Sequence, residues 1–390
     1  MAHSRKRKSS SFYPVFGVLM ALVILGLSAY FLASPRRDYS PVEKRTLSSF
    51  PTLNLTTLAD GSFMNQVETW MSDQFPLRDR FVVIKTRVDL LRGRRESQNV
   101  YCLTDGSLAE RFTDPEPEKE ARILAAIDAF AARYPAADFS FLLVPSAVSV
   151  KAALLPEHAL TDDQNAFIDR FNAALPERFA RIDLREAFAA APDGARLFYR
   201  TDHHWAEDGV AIAANALHET LGVGSLADFD QGVATGDFVG ALSAKSGFPA
   251  DQADRVVIYR PKEGTEAAGI LYTVDYEAEQ TSSASIYRAE ALRGDNAYEV
   301  FLGGNHPSIT IRTSCDTDRS LLILRDSFAN ACVPLLVPYF KTITLIDPRY
   351  YYGDIDLAMQ TEGYTDVLFL YCASTFSEGS SLATVLENGK

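Results

Sequence analysis

Apolar and polar positions along the chain change period several times, and each change predicts an element. The run Phe12 to Ala33, "FYPVFGVLMALVILGLSAYFLA", contains no charged residue and is long enough for a hydrocarbon core that needs about 20 apolar residues. It predicts one N-terminal transmembrane helix. Residues 34–61 are polar, Pro-containing and weakly periodic, as a tether would be. From Ser62 to Gly93 the apolar residues Phe63, Val67, Trp70 and Met71, then Phe81, Ile84, Val88 and Leu91, recur at helical spacing, with Pro76 opening the second helix. Beyond it, short β-rich runs alternate with helical stretches: helix Glu116 to Tyr134, strand "DFSFLLVP", helix Asp162 to Leu175, strand "RIDL", and helix Ala206 to Leu221 closed by Gly222. This alternation predicts an α/β domain with a mostly parallel sheet wrapped by helices, over residues 62–390. Residues 225–297 are richer in turns and read as a β-rich insertion. Core-type runs resume with "YEVFLGG", "SITIRT", "SLLILRDSFANACVPLLVPYF", "TITLID" and "TDVLFLY".

Charge orients this plan. The formal net charge is -13, yet "MAHSRKRK" carries only basic charges. A basic flank stays cytoplasmic, which makes residues 1–11 a cytoplasmic cap, residues 12–33 the anchor and the remainder extracytoplasmic. The apolar run exceeds the roughly 7 to 15 residues of a secretory signal, which favours an uncleaved single-pass anchor in the cell membrane. An acidic domain does not suit nucleic acid, whose binders present basic stripes. The four cysteines, Cys102, Cys315, Cys332 and Cys372, form no CxxC pair, so no zinc ribbon or redox motif follows. Cys332 and Cys372 read as buried thiols.

Two segments carry candidate chemistry. "FYRTDHHWAEDG", Phe198 to Gly209, holds two of the six histidines side by side after an aspartate. In an extended strand Asp202 and His204 share one side and His203 faces the other; in a turn the Asp202 carboxylate accepts directly from His204. A metal site needs three or more convergent ligands, and no HxxxH or HExxH spacing accompanies the pair, so no metal is expected. Trp205 reads as a packing residue. The second segment is "SLLILRDSFANAC", where an apolar strand runs through Arg325, Asp326 and Ser327 into a predicted helix. A serine there sits on the carboxyl edge of the sheet, where open α/β folds place ligands, and at a helix N-terminus. It is either a nucleophile or, with Asp326, a cap for the helix. A nucleophilic serine needs a base and a group that orients the base, and His204 with Asp202 supplies both.

"YRTDHHW", the strand–Asp326-Ser327–helix element, "GGNHP", "IDPRYYY" and "FMNQVETWMSDQFPLRDRF" together resemble the DHHW family, a relative of the SGNH-type polysaccharide O-acetyltransferases such as those acetylating alginate. The resemblance spans roughly residues 39–376. It implies an SGNH-hydrolase-like three-layer sandwich, with Ser327 as nucleophile, His204 as base and Asp202 as orienting acid. It also implies an extracytoplasmic O-acetyltransferase that modifies a cell-surface polysaccharide through an acyl-enzyme. The partner implied is a membrane-bound O-acyltransferase that supplies the acetyl group; no cofactor is called for. The alternatives are a carbohydrate esterase with the same triad, or a catalytically silent glycan-binding scaffold. For the oxyanion, the Ser327 N–H is the first candidate and an amide of Asn305 or Asn330 the second. Arg349 either binds donor or glycan or pairs with Asp347. Two departures stand out: SGNH proteins usually have glycine where this chain has Arg325, and the alginate enzymes have one histidine where this chain has two, so His203 inherits no role.

Overall fold

The computed structural model describes residues 12–40, 45–54, 57–58 and 61–388; the basic cap lies outside the described residues. The chain divides into two compact units, residues 1–89 and 90–390.

In the first unit, Phe12–Ala33 is a single helix. Its stretch Tyr13–Ala33 is long and apolar enough to cross a membrane, and most of its side chains are exposed. A helix apolar on every side has no polar face to turn to water. Helix Ser62–Asp73 ends before Pro76, and the next helix is Arg78–Leu91. The first of these anchors the preceding segment: Asp73 accepts from the Ser48 N–H at 2.9 Å and Gln74 accepts from the Arg37 N–H at 3.0 Å.

The second unit is built on an eight-stranded sheet. Its strands in chain order are β1 (Asp138–Val144), β2 (Phe179–Ile182), β3 (Tyr272–Tyr276), β4 (Thr281–Ser283), β5 (Ser308–Thr313), β6 (Ser320–Arg325), β7 (Thr342–Ile346) and β8 (Asp366–Cys372). Across the sheet the order is β2-β1-β8-β6-β7-β5-β3-β4. The pairings β2–β1, β1–β8, β8–β6 and β6–β7 are parallel, and β5, β3 and β4 extend the sheet antiparallel. Every residue of β6 and β8 is buried. A strand buried on both faces requires a layer on each side, so the domain is a three-layer sandwich. Helices Pro117–Arg133, Gln164–Ala174 and Glu207–Leu221 supply cover. The last buries Val210, Ala213, Ala214, Leu217 and Leu221 along one stripe and ends at Gly222, whose φ of 63° only glycine adopts freely. Phenylalanines dominate the core: Phe141 and Phe369 stack at 5.3 Å, and Phe171 meets Phe376 edge-on at 4.9 Å.

Of residues 225–297, β3 and β4 belong to the main sheet, while Phe229–Phe238 and Asp254–Pro261 form a separate antiparallel ribbon. Two local expectations change. "YEVFLGG" is no strand: Ala297–Val300 is a 3-10 turn, followed by positive φ at Leu302, Gly303 and Gly304. The helix after Ser327 is only Ala329–Cys332, continued by 3-10 turns at Val333–Leu335 and Val337–Tyr339. Pro334 and Pro338 cannot donate the hydrogen bonds that a longer helix requires. A dipole from so short a helix contributes little at Ser327.

Candidate active site

Strand β6 delivers Ser327 to the carboxyl edge of the sheet, and the turn around it is held from below. The Asp326 carboxylate accepts the Phe328 N–H at 2.9 Å through Oδ1 and the Cys372 N–H, at the end of neighbouring β8, at 2.8 Å through Oδ2. Burial raises the Asp326 carboxyl to about 6, against those two N–H groups and nearby Arg349. Trp205, wholly buried, donates its indole N–H to the Phe328 carbonyl at 3.0 Å, so the aromatic expected to pack also fixes the residue after Ser327.

The histidine loop closes by a bridge between Phe198 and Trp205, with Tyr199 N–H donating to the His204 carbonyl at 3.1 Å. The turn geometry prevails over the extended one: the Asp202 Oδ1 accepts both the His204 backbone N–H, at 3.0 Å, and the His204 ring at Nδ1, at 2.6 Å. Asp202 Oδ2 accepts the Ala241 N–H at 2.7 Å. Gly240 is required beside it, because a Cβ there would lie 2.2 Å from the Asp202 Cβ. Thr201 is pinned by buried Asp254, at 2.9 Å from its N–H and 2.6 Å from its hydroxyl.

The loop brings His204 Nε2 to 2.8 Å from Ser327 Oγ. Burial works to raise the Asp202 carboxyl, but His203, His204 and the donated hydrogen bonds outweigh it and hold the group well below the usual carboxylate range. An ionised Asp202 only accepts, so the His204 proton resides on Nδ1 and the Nε2 lone pair faces the serine hydroxyl. Burial, aided by the His203 ring and opposed by Asp202, pulls His204 down to about 4. The imidazole is therefore neutral near pH 7, as a general base must be.

Comparison with known proteins gives a consistent picture. Residues 43–105 match the family model for DHHW protein, and residues 106–268 match "SGNH hydrolase-like domain, acetyltransferase AlgX". Neither match spans half of the chain; together they show a DHHW-like segment followed by an SGNH-like domain. A DHHW family protein from Eubacterium siraeum shares the fold with a TM-score of 0.62 at 23% identity, over 75% of this chain and 96% of that one. Bacillus cereus PatB1 aligns with a TM-score of 0.61 at 25% identity, over 71% of this chain and 97% of that one, and its structure with a sulfonyl adduct gives 0.61 at 24%, over 72% and 97%. No curated protein matches the chain by sequence. The fold is thus that of the SGNH-like proteins.

The two adjacent histidines are unequal. His203 is a third exposed, its ring lies 4.0 Å from that of His204, and its Nδ1 is 3.6 Å from Asp202 Oδ1. Ligand atoms of Asp202, His203 and His204 all lie within 4.8 Å of one another. Both ring nitrogens of His204 are already engaged, by Asp202 and Ser327, so a cation would have to displace the relay to use them. Asn305, exposed on its turn, accepts from Arg325 at 3.1 Å. Asn330 is wholly buried and donates to the Gly304 carbonyl at 3.3 Å, which ties down the turn that carries Asn305. Arg349 pairs with Asp347 through Nε at 2.8 Å and Nη2 at 2.6 Å. The Ser327 N–H donates to no group among the described residues.

Three further residues shape the site with little or no signal of that role in local sequence. Tyr298 lies flat on the His204 ring at 3.7 Å and 13°, and its hydroxyl donates to the Ser327 carbonyl at 3.0 Å, so one side chain touches both His204 and Ser327. Arg325, in place of the usual glycine, is 0% exposed with Asp347 at 3.5 Å, and burial draws its pKa below the ordinary value. Gly240 is the third; a glycine directly before a short helical run was its only trace.

Proposed function

We propose that this protein is a membrane-anchored, extracytoplasmic O-acetyltransferase that modifies a cell-surface polysaccharide through an acetyl-Ser327 intermediate. The observation that carries the reading is the continuous hydrogen-bonded chain from Asp202 through His204 to Ser327 Oγ, at 2.6 and 2.8 Å, on the carboxyl edge of the sheet. The match to the acetyltransferase AlgX model supports the choice of acyl group, and the apolar N-terminal helix supports the anchor.

In this mechanism His204 Nε2 takes the Ser327 proton as Oγ attacks the acetyl carbonyl. Asp202 stabilises the imidazolium that results, and the Ser327 N–H faces the developing oxyanion. The leaving group takes the proton from His204. A sugar hydroxyl, deprotonated by the same nitrogen, then receives the acetyl group. Because acetyl-CoA is not an extracytoplasmic donor, a membrane-bound O-acyltransferase partner supplies the acetyl group across the membrane.

The test uses the full-length chain in detergent with p-nitrophenyl acetate and a glycan acceptor. The reading expects a burst of p-nitrophenolate, a mass increase of one acetyl group, and acetylated sugar, with all three abolished in S327A. Acetylated sugar from S327A would contradict it, as would release of free acetate alone.

A further inference from the structure

Helix Arg78–Leu91 carries apolar residues on two opposite faces. At about 3.6 residues per turn, Val82, Val83, Thr86 and Leu90 fall on one side, where Thr86 is buried and the other three are partly covered. On the opposite side Phe81, Ile84, Val88 and Leu91 form a continuous stripe and are 48%, 57%, 45% and 88% exposed. A helix packed on a core needs one apolar face, so the stripe is surplus to the protein's own packing. Exposed basic residues border it on both edges, Arg80 and Arg87 along one and Lys85 along the other. Lys85 also reaches Asp89 at 3.0 Å. Residues 78–95 hold seven Lys or Arg against two Asp, within a chain of formal net charge -13.

Contacts within the first unit lead from the apolar N-terminal helix to this stripe. Phe31, in the last turn of Phe12–Ala33, meets Trp70 of helix Ser62–Asp73 edge-on at 5.6 Å, and Phe50 meets the same indole at 4.9 Å. The Arg36 guanidinium lies 4.7 Å from the centre of the Phe31 ring and 4.8 Å from that of Trp70. Gln74 holds the Arg37 backbone by both of its groups, accepting from the N–H at 3.0 Å and donating to the carbonyl at 2.8 Å. The Phe75 ring then stands 6.1 Å from that of Phe81, where the stripe begins. Tryptophan and arginine at the end of an apolar helix are the residue types that gather at a membrane–water boundary. Helix Ser62–Asp73 is thus packed on the end of the apolar helix, and helix Arg78–Leu91 follows it directly.

We propose that Phe81, Ile84, Val88 and Leu91, with the basic residues beside them, dock on the surface of the membrane that the N-terminal helix enters, against anionic lipid. The inference rests on the reading of Phe12–Ala33 as a membrane anchor. The four apolar side chains enter the boundary between headgroups and acyl chains, about 5–10 Å deep. Arg80, Arg87 and Lys85 lay their methylene stems beside them and keep their charged ends among the lipid phosphates. Charge decides the occupant: a second copy on the same stripe would set these cations against one another, whereas anionic headgroups neutralise them. The anchor supplies proximity, and the stripe turns a single point of attachment into two.

The experiment places an NBD fluorophore on full-length protein carrying C102S and C315S, either at I84C in the stripe or at L25C in the anchor; Cys332 and Cys372 are buried and stay unlabelled. Each protein is reconstituted in phosphatidylcholine vesicles, with or without about one-third phosphatidylglycerol, that contain doxyl-labelled lipid as quencher. The label at residue 84 should be quenched in the anionic vesicles. That quenching should fall at least about threefold without phosphatidylglycerol or in R80E/R87E, and weaken in about 0.5 M salt, while the label at residue 25 is quenched throughout. A label at residue 84 that the lipid quencher does not reach would overturn the inference, and blue-shifted emission in that case would assign the stripe to a protein partner or a second copy. Equal quenching at residue 84 with and without phosphatidylglycerol would also overturn it. An unquenched label at residue 25 would instead fail the anchor reading beneath it.

Discussion

The two flanks of Ser327 differ in almost every physical respect. Toward β7, Arg325 and Asp347 are fully buried, Arg349 clamps Asp347 from the solvent side, and Asn305 closes the rim. Toward β8 and β1 the edge is an open cleft of hydroxyls and carboxylates in which His203 remains a third exposed. A buried charge network tolerates little movement, since each group depends on its partner for solvation. The cleft's pairs, Glu110 with Lys245 and Ser146 with Ser374 and Gln164, are polar contacts nearer the solvent. The difference teaches how one serine edge can be held firmly on one flank and left accessible on the other.

The sharpest way to break the comparison is to cut the relay that both flanks adjoin. D202N leaves His204 the wrong tautomer, and the acylation rate should fall by roughly 10⁴-fold with the fold intact by circular dichroism. The closed flank comes next. D347A leaves Arg325 buried without its counter-charge and should cost about 3–5 kcal/mol in denaturant unfolding, whereas E378A on the open flank should stay within about 0.5 kcal/mol. A comparable loss for both would erase the distinction. Y298F keeps the ring on His204 but removes the bond to the Ser327 carbonyl; a loss of about 1 kcal/mol, several-fold in kcat/KM, is expected for one neutral hydrogen bond.

The pH profile sharpens the same picture. In the proposed mechanism neutral His204 is the active form, and its pKa is lowered to about 4. The acylation kcat/KM should therefore persist as pH falls through 6.5, where an ordinary histidine protonates, and decline only near pH 4. A stopped-flow profile that breaks near 6.5 would place His204 in a far wetter setting.

What could be read from the chain follows from how local each signal is. The apolar runs of β1, β6, β7 and β8 announce a buried parallel sheet because both faces of each strand are covered. Asp202 and His204 are two residues apart, so their pairing depends on one turn. Their approach to Ser327 was inferable from the types of group that a nucleophile requires. Tyr298 was invisible because it reaches the relay from a 3-10 turn in a stretch whose pattern suggested a strand. Arg325 stood out only as a departure from the usual glycine; the register of β6 against β7, which sets Asp347 beside it, explains its burial. The helix after Ser327 was overestimated because its apolar residues mask the interruptions at Pro334 and Pro338.

The most direct measurement is the site of acylation itself. Full-length protein treated with p-nitrophenyl acetate, quenched in acid during the burst and digested, should carry a single acetyl group on the peptide that contains Ser327, at near-stoichiometric occupancy in wild type and at trace occupancy in H204A. An acetyl group on any other residue, or equal labelling of Ser327 in H204A, would contradict the account.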